Sequence, residues 1–348
     1  SDLGLSNLMT TFFSSFNELA VSPNSLPLRT NVLNAATNLS AKVTSINHSV
    51  TSLKGDIKQE FQQKVNQVNT LLNQIHQINY EQFSNAYNGV PVNDLLDRRD
   101  ALVDQLSKLV NITVVYDNTN SAVISIGGAL AVDRMHSAEF IAEENNGKLN
   151  LRVKDGSYPV VLTGGELNAL SNVYSKKIPA YQQKLDSVIN KLVEAVNAEH
   201  IQGYTISDPQ KTGLNFFDGY TNGELVVNSE IVNDPNKIAI SLDGTEGNGE
   251  IALRIAQLND VKLLNGNTLQ EAYSALINNI GNDGMLQNNY ADANQVVLDE
   301  LAQLKASQSG VSVDEEMTNV LKFQRTYEAS AKLIMIADDM LKTILEMV

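Results

Sequence analysis

From Val32 to Ile78, apolar residues return at spacings of four and three: Val32, Ala36, Leu39, Val43, Ile46, Val50, Leu53, Ile57, Phe61, Val65, Val68, Leu72, Ile75 and Ile78. That rhythm is the seam of a coiled coil. It predicts one nearly continuous helix from about 27 to 78, with Pro27 in its first turn, where a missing N–H costs nothing. The spacing slips to four around Ile57, Phe61 and Val65, just after Gly55. A glycine there costs roughly 1 kcal/mol relative to alanine, so Gly55 is the expected local fault. Isolated helices are marginal in water, whereas each buried Leu, Ile or Val contributes about 1.5–3 kcal/mol. The stripe therefore needs partners, and the same chain offers them. Shorter helices are expected over 5–20 (Leu5 to Leu19), 94–110, from just after Gly165 to near His200 with a kink at Pro179, and 249–259. A second long helix is expected over 268–306, through Leu269, Leu276, Ile280, Leu286, Tyr290, Val297, Leu301 and Leu304. The economical arrangement is an elongated antiparallel bundle built from N- and C-terminal helices.

The stretch Gly310–Val348 is the most heavily patterned. Ser312 and Glu315 stand three apart, as in a capping box, and Asp314, Glu315 and Glu316 suit a helix N-terminus. One apolar stripe follows through Val313, Met317, Val320, Tyr327, Ile334, Leu341, Leu345 and Val348, with Phe323 beside it. It would be about 54 Å long as a helix. A second stripe, Ile336, Met340, Ile344 and Met347, occupies another face. Two readings stand side by side: a helix buried deep in its own domain, or a face kept for another copy of the chain or a partner.

Between the helical ends the texture changes. Runs at 112–116, 122–126, 138–141, 148–153 and 158–162 read as short strands, separated by Asp117-Asn118, Gly127-Gly128, Asn145-Asn146-Gly147 and Asp155-Gly156. The fold class is α+β: a helical rod from 1–110 and 163–348, with an inserted antiparallel β domain at 111–162. Within the rod, 204–247 is loop-rich, with strands expected at 225–227 and 238–240, and 313–348 is the terminal helix.

Chemistry is sparse. The net charge of −15 argues against nucleic acid and acidic membranes as partners. With no cysteine there is no disulfide framework, thiolate metal site or thiol nucleophile. No run is long enough to insert in a membrane, and the start shows no cleavable signal pattern. The first residue, Ser1, is expected to be a processed terminus or the edge of a fragment. His48, His76, His136 and His200 lack the spacing of a helical zinc site. Glu199-His200 could be an acid/base pair, but His200 more simply complements a helix C-terminus as a charge. The run Asp94-Leu95-Leu96-Asp97-Arg98-Arg99-Asp100 reads as a solvated face with i,i+4 pairs. Asp243-Gly244-Thr245-Glu246-Gly247-Asn248-Gly249 lacks calcium-loop spacing and reads as a turn. No enzyme, cofactor or metal is expected.

Ser309 to Met317, followed by Leu321-Lys322-Phe323-Gln324-Arg325-Thr326-Tyr327-Glu328-Ala329-Ser330-Ala331-Lys332, closely resembles the C-terminus of flagellar axial proteins. Asn93 to Asp100, Gly164-Gly165-Glu166-Leu167, Ala195 to Tyr204 and Phe216-Phe217-Asp218-Gly219 extend the resemblance to the FlgK-type hook-associated family. It covers essentially the whole chain, without that family's N-terminal amphipathic segment. The resemblance implies an extracellular structural protein of the bacterial flagellum, exported by a type III apparatus without a cleaved signal. It implies a ring of copies, a homo-oligomer, between the hook protein and a neighbouring junction protein. It implies an export chaperone docking on the C-terminal helix at Phe323, Tyr327, Ile334, Met340, Leu341 and Leu345. With Ile336 and Ile344 of the second stripe, these are the candidate partner-binding residues. The chain alone is expected to be mostly monomeric. The alternatives are another axial protein (flagellin-like or the second junction protein) or a secreted helical adhesin or effector.

Overall fold

The computed structural model describes residues 4–156, 159–207, 210–309 and 313–346, without the side chains of 308–309, 313–315 and 336–346. The chain divides into two units, Ser1–Asn279 and Ile280–Val348. It is α+β, with long helices and small antiparallel sheets.

In the first unit, α1 (Leu5–Val21) buries its aromatic face, with Phe12, Phe13 and Phe16 essentially without exposure. A turn at Ser22 leads to α2 (Leu26–Tyr87), a helix of 62 residues with Pro27 in its first turn. The expected fault at Gly55 does not interrupt it. Gly55 is exposed and an added Cβ there would meet nothing within 4 Å. The helix runs past its expected end at 78 because buried polar residues, Asn79 and Gln82, carry its packing face onward.

Next come α3 (Asn93–Leu109) and the strands β1 (Ile112–Tyr116), β2 (Ala122–Ile126), β3 (Ala129–Val132), β4 (Phe140–Asn145), β5 (Lys148–Val153) and β6 (Pro159–Val160). They form two three-stranded antiparallel sheets, β1-β2-β3 and β4-β5-β6. Asn146 and Gly147, both at positive φ, close the β4–β5 hairpin in the turn that matches strand twist. Strand β3 was not expected, and β4 lies further along than the run at 138–141. A helix follows in three pieces: α4 (Gly165–Asn172), a π turn (Val173–Lys177) and α5 (Ile178–His200). The π turn answers Pro179, which was expected to kink the helix. Proline lacks an N–H and crowds the carbonyl four residues back. In the wider turn the Ile178 N–H reaches Val173 O instead.

The strands β7 (Phe217–Thr221) and β8 (Glu224–Val227) pair as a hairpin closed by Asn222-Gly223. They precede α6 (Ser229–Asn233) and α7 (Glu250–Gln257). The expected strand at 238–240 is absent; the chain makes one bridge there, between Tyr204 and Ser241. The helix α8 (Leu269–Ser309) starts in this unit.

Two separate cores result. The first gathers α1, the start of α2 (Val32 to Val43), α5 from Leu185, Phe216, the β7–β8 hairpin, α7 and the opening turns of α8 at Leu269 and Leu276. Helices far apart in sequence, α1 and α2 with α7 and the first turns of α8, thus meet in one core. The second gathers α2 from Ile57 to Ile75, α3, both three-stranded sheets, α4, Tyr174 and Ile178. Strands 112–160 share that core with the helices rather than enclosing one of their own.

Polar side chains on α2 tie the sheets down. Asn79 accepts the Ala122 N–H at 2.9 Å and donates to the Ala122 carbonyl at 2.8 Å. Asn69 does the same for Phe140, at 2.8 Å each way. Gln82 donates to Thr119 O, and His76 Nδ1 lies 3.0 Å from Asp133 O. The second unit holds the rest of α8 and α9 (Val313–Glu346); residues 310–312, which carry Ser312 of the expected capping box, lie outside the described residues, as do the side chains of Asp314 and Glu315.

Replacing Asn79 with alanine strands two backbone groups, each costing about 1–3 kcal/mol when buried unpaired. Urea unfolding of Asn79→Ala is expected to show a loss of about 2–4 kcal/mol. The exposed Asn66→Ala should stay within about 0.5 kcal/mol of the parent.

Candidate assembly face

Helix α9 carries its apolar residues in the open. Phe323, Tyr327 and Ile334 are 72%, 78% and 71% exposed. Their spacings of four and seven set them along one side. Five further candidates, Ile336, Met340, Leu341, Ile344 and Leu345, fall on the backbone of α9, but their side chains lie outside the described residues. Leu333, exposed at 68%, was not singled out from the sequence. It stands three residues before Ile336 and prolongs the second stripe toward the N-terminus, so the same periodicity could have found it. Leu321 and Met335 are exposed as well. In the same unit, the row expected to be a bundle seam on α8 (Leu286, Tyr290, Val297, Leu301 and Leu304) is about half exposed throughout. So many large apolar side chains in water are unusual in a monomeric protein. Arg325, Lys332 and Glu328 lie between them, so the helix mixes an adhesive stripe with solubilising charge.

The residues that looked chemical are structural. His200 is fully buried and pinned between two backbone segments. Its Nε2 accepts the Ala239 N–H at 2.9 Å, so Nδ1 carries the proton and donates to Leu214 O at 2.7 Å. Burial, aided by the charge of Arg29 and opposed by the Leu214 bond, pushes its pKa down to about 4. It is therefore neutral, and the expected role as a charge at the helix end is wrong; desolvation outweighs the helix terminus. Arg29, unremarked in the sequence, is fully buried beside it. It donates to Pro23 O and Ile238 O at 3.1 and 2.8 Å, and burial lowers its pKa to about 10. Asn197 accepts the N–H groups of Phe216 and Phe217 and donates to Phe217 O. Two of the sequence blocks noted above, 195–204 and 216–219, thus meet as one hydrogen-bonded unit.

The 94–100 run is not wholly a solvated face. Arg99 is buried, bonds Asn120 O at 2.6 Å and Asp100 Oδ1, and stacks on Tyr116 with 4.7 Å to the ring centroid. Its guanidinium closes the β1–β2 turn against α3. Of the other histidines, His48 is exposed and His136 is exposed beside Asp133. Asp243 spends its carboxylate on the Thr245 N–H and hydroxyl inside its own turn. Among the described residues no three His, Cys, Asp or Glu side chains gather to hold a metal ion. Nor is any described helix long and apolar enough to cross a membrane.

The chain matches two protein families. Residues 1–217 match the flagellar hook-associated protein FlgK helical domain, and residues 303–347 match the flagellar basal body rod FlgEFG protein C-terminal family. A flagellar hook-associated protein 1 from Bacillus subtilis is 26% identical over 99% of this chain and 76% of its own length. One from Escherichia coli is 28% identical over 33% of this chain and 22% of its own. The fold resembles that of the flagellar hook junction protein FlgK from Burkholderia pseudomallei, with a TM-score of 0.75 at 16% identity. That match covers 89% of this chain and 94% of the other.

The neutral His200 makes stability depend on pH. Its folded pKa lies below the ordinary 6.5, so the unfolded chain takes up the proton first as pH falls. The contribution is complete above pH 6.5 and is lost on descent from there to about 4, roughly 3 kcal/mol in all. Carboxylates titrate in the same window, so the reading is the difference between two curves. Urea midpoints of the parent should fall more steeply over that window than those of His200→Gln.

Proposed function

The chain belongs to the FlgK family of flagellar hook-associated proteins, and from that membership we propose that it joins hook to filament as a ring of identical copies. It is a structural component of the bacterial flagellum. The observation that carries the finer reading is the exposed apolar row of α9, which falls within residues matching an axial C-terminal family. A helix that leaves Phe323, Tyr327 and Ile334 in water gains about 1.5–3 kcal/mol for each when a neighbour covers it. In the assembled flagellum those neighbours are further copies of the chain, with the hook protein on one side and a second junction protein on the other. Before assembly the same row is shielded by an export chaperone, and the chain leaves the cytoplasm by the type III route. The helices carry load, and the small sheets present their outer faces to solvent. The protein has no catalytic task. Its hydrogen-bonded polar clusters hold backbone in place, and long helices serve a part that transmits torque.

Deleting the gene is expected to leave cells with hooks but without filaments, and with flagellin in the medium; normal filaments would sink the reading. A finer test uses Phe323→Asp and Tyr327→Asp. Both should melt like the parent, since surface substitutions rarely move stability by more than about 0.5 kcal/mol. Secreted but unassembled protein would identify the row as a self-assembly face, whereas retention in the cytoplasm would identify it as the chaperone face. Light scattering of the purified chain should report a monomer.

A further inference from the structure

The first unit has two cores that share no buried residue. The described chain passes between them only twice. It goes out along α2 and returns through the π turn into α5. On α2, Ile46 is the last residue packed on the first core and Val50 the first packed on the second. On the return, Ile178 belongs to the second core and Tyr181 packs on the first. No residue of α2 between Val43 and Ile57 is buried.

At this crossing the apolar packing is interrupted: no residue of α2 between Ile46 and Val50, and none of α5 between Ile178 and Tyr181, packs on either core. An open cleft of about 680 Å³ lies there instead, lined by Asn47, Thr51, Pro179, Gln182, Asp186 and Tyr220 among others. Amides, hydroxyls and a carboxylate keep their partners in water as readily as in protein, so opening such a cleft forfeits little apolar contact. Both crossings are also locally soft. Gly55 on α2 is exposed, with nothing near its missing Cβ. The return passes through Val173–Lys177, a π turn, and then Pro179, which donates no backbone hydrogen bond. The two soft points lie at one level, because Lys54 Nζ sits 4.7 Å from the centre of the Tyr174 ring.

We propose that the first unit is articulated here. Its two cores swing against one another about a pivot formed by residues 46–55 of α2 and by the π turn with Pro179. A small polar tie anchors the pivot on the second core. Glu144 on β4 takes the Tyr174 hydroxyl and the Lys58 ammonium, each at 2.7 Å, and Lys54 lies on the same ring. The tie holds both crossing segments to the second core, so motion is concentrated in the few residues beside the cleft. Each core moves as a rigid body because its own interior is closely packed.

The absence of native cysteine makes a distance measurement direct. Spin labels at Asn17→Cys and Gln105→Cys, both exposed, report across the pivot in the full chain. Labels at Gln105→Cys and Lys148→Cys lie within the second core and serve as the rigid control. The cross-pivot distance distribution is expected to be about twice as wide as the control, as for collective hinge motion sampled on freezing. Gly55→Ala and Pro179→Ala should narrow it, and Tyr174→Phe, which keeps the ring but cuts the bond to Glu144, should widen it. A cross-pivot distribution as narrow as the control overturns the proposal. So does a wide one that neither helix-restoring variant narrows, because the motion would then arise elsewhere.

Discussion

A backbone amide or carbonyl shut away from water must find a partner, and sheets as small as these have more edge than interior. Neither three-stranded sheet closes on itself, and the β7–β8 hairpin has only two strands. Their outer groups are met by side chains standing on helices. Asn69 takes both groups of Phe140 on the outer edge of β4, and Asn79 takes both of Ala122 where β2 overhangs β3. Asn197 does the same at the start of β7. One amide answers an N–H and a C=O together, and so fixes position as well as removing the penalty. The strands therefore depend on α2 and α5 for register against the rest of the molecule. The helices in turn depend on the strands for much of the apolar surface that covers them.

The buried polar centre of the first core obeys the same rule. Arg29 and His200 are costly residues to enclose, and each is retained by bonds to carbonyls or amides of irregular chain between Pro23 and Ala239. Loop segments 210–216 and 234–241 have little repeating structure to satisfy them. Two side chains projecting from α2 and α5 supply fixed points for both.

The helices were legible because their signal is local. A stripe of period 3.6 needs only its own residues to be seen, so α1, α2 and α8 began within a residue or two of their expected starts, whereas the π turn divides the helix expected around Pro179. The β4–β5 turn was legible for a similar reason, since Asn146-Gly147 needs positive φ and few other residues tolerate it. Strand β3 was missed because Ala129-Leu130-Ala131-Val132 has weak strand character and follows its partner after only two glycines. The amide ties could not be read at all, because Asn79 and Ala122 lie 43 positions apart. Polar residues on an amphipathic helix look alike until the element above them is known. On the last helix, the exposed row at Phe323, Tyr327 and Ile334 was legible from its spacing; Leu333 was overlooked because the second stripe was started one turn too late.

The two cores differ in how their parts are spread along the polypeptide. The one holding the larger sheets is drawn from a continuous run between Ile57 and Ile178. The other sets Leu5 and Phe12 beside Ile251, Leu269 and Leu276, with the backbone at Ala20 lying against Gly249. Contacts between residues near in sequence form early, while distant ones must first close a long loop. A chain that becomes available from its N-terminus can complete the continuous core while the rest is still arriving. Helix α1 must wait for Phe216, about 200 positions downstream, before Phe12 and Phe16 find their ring partners. In order of maturation, the core that contains Leu5 is finished after the one that contains Ile57.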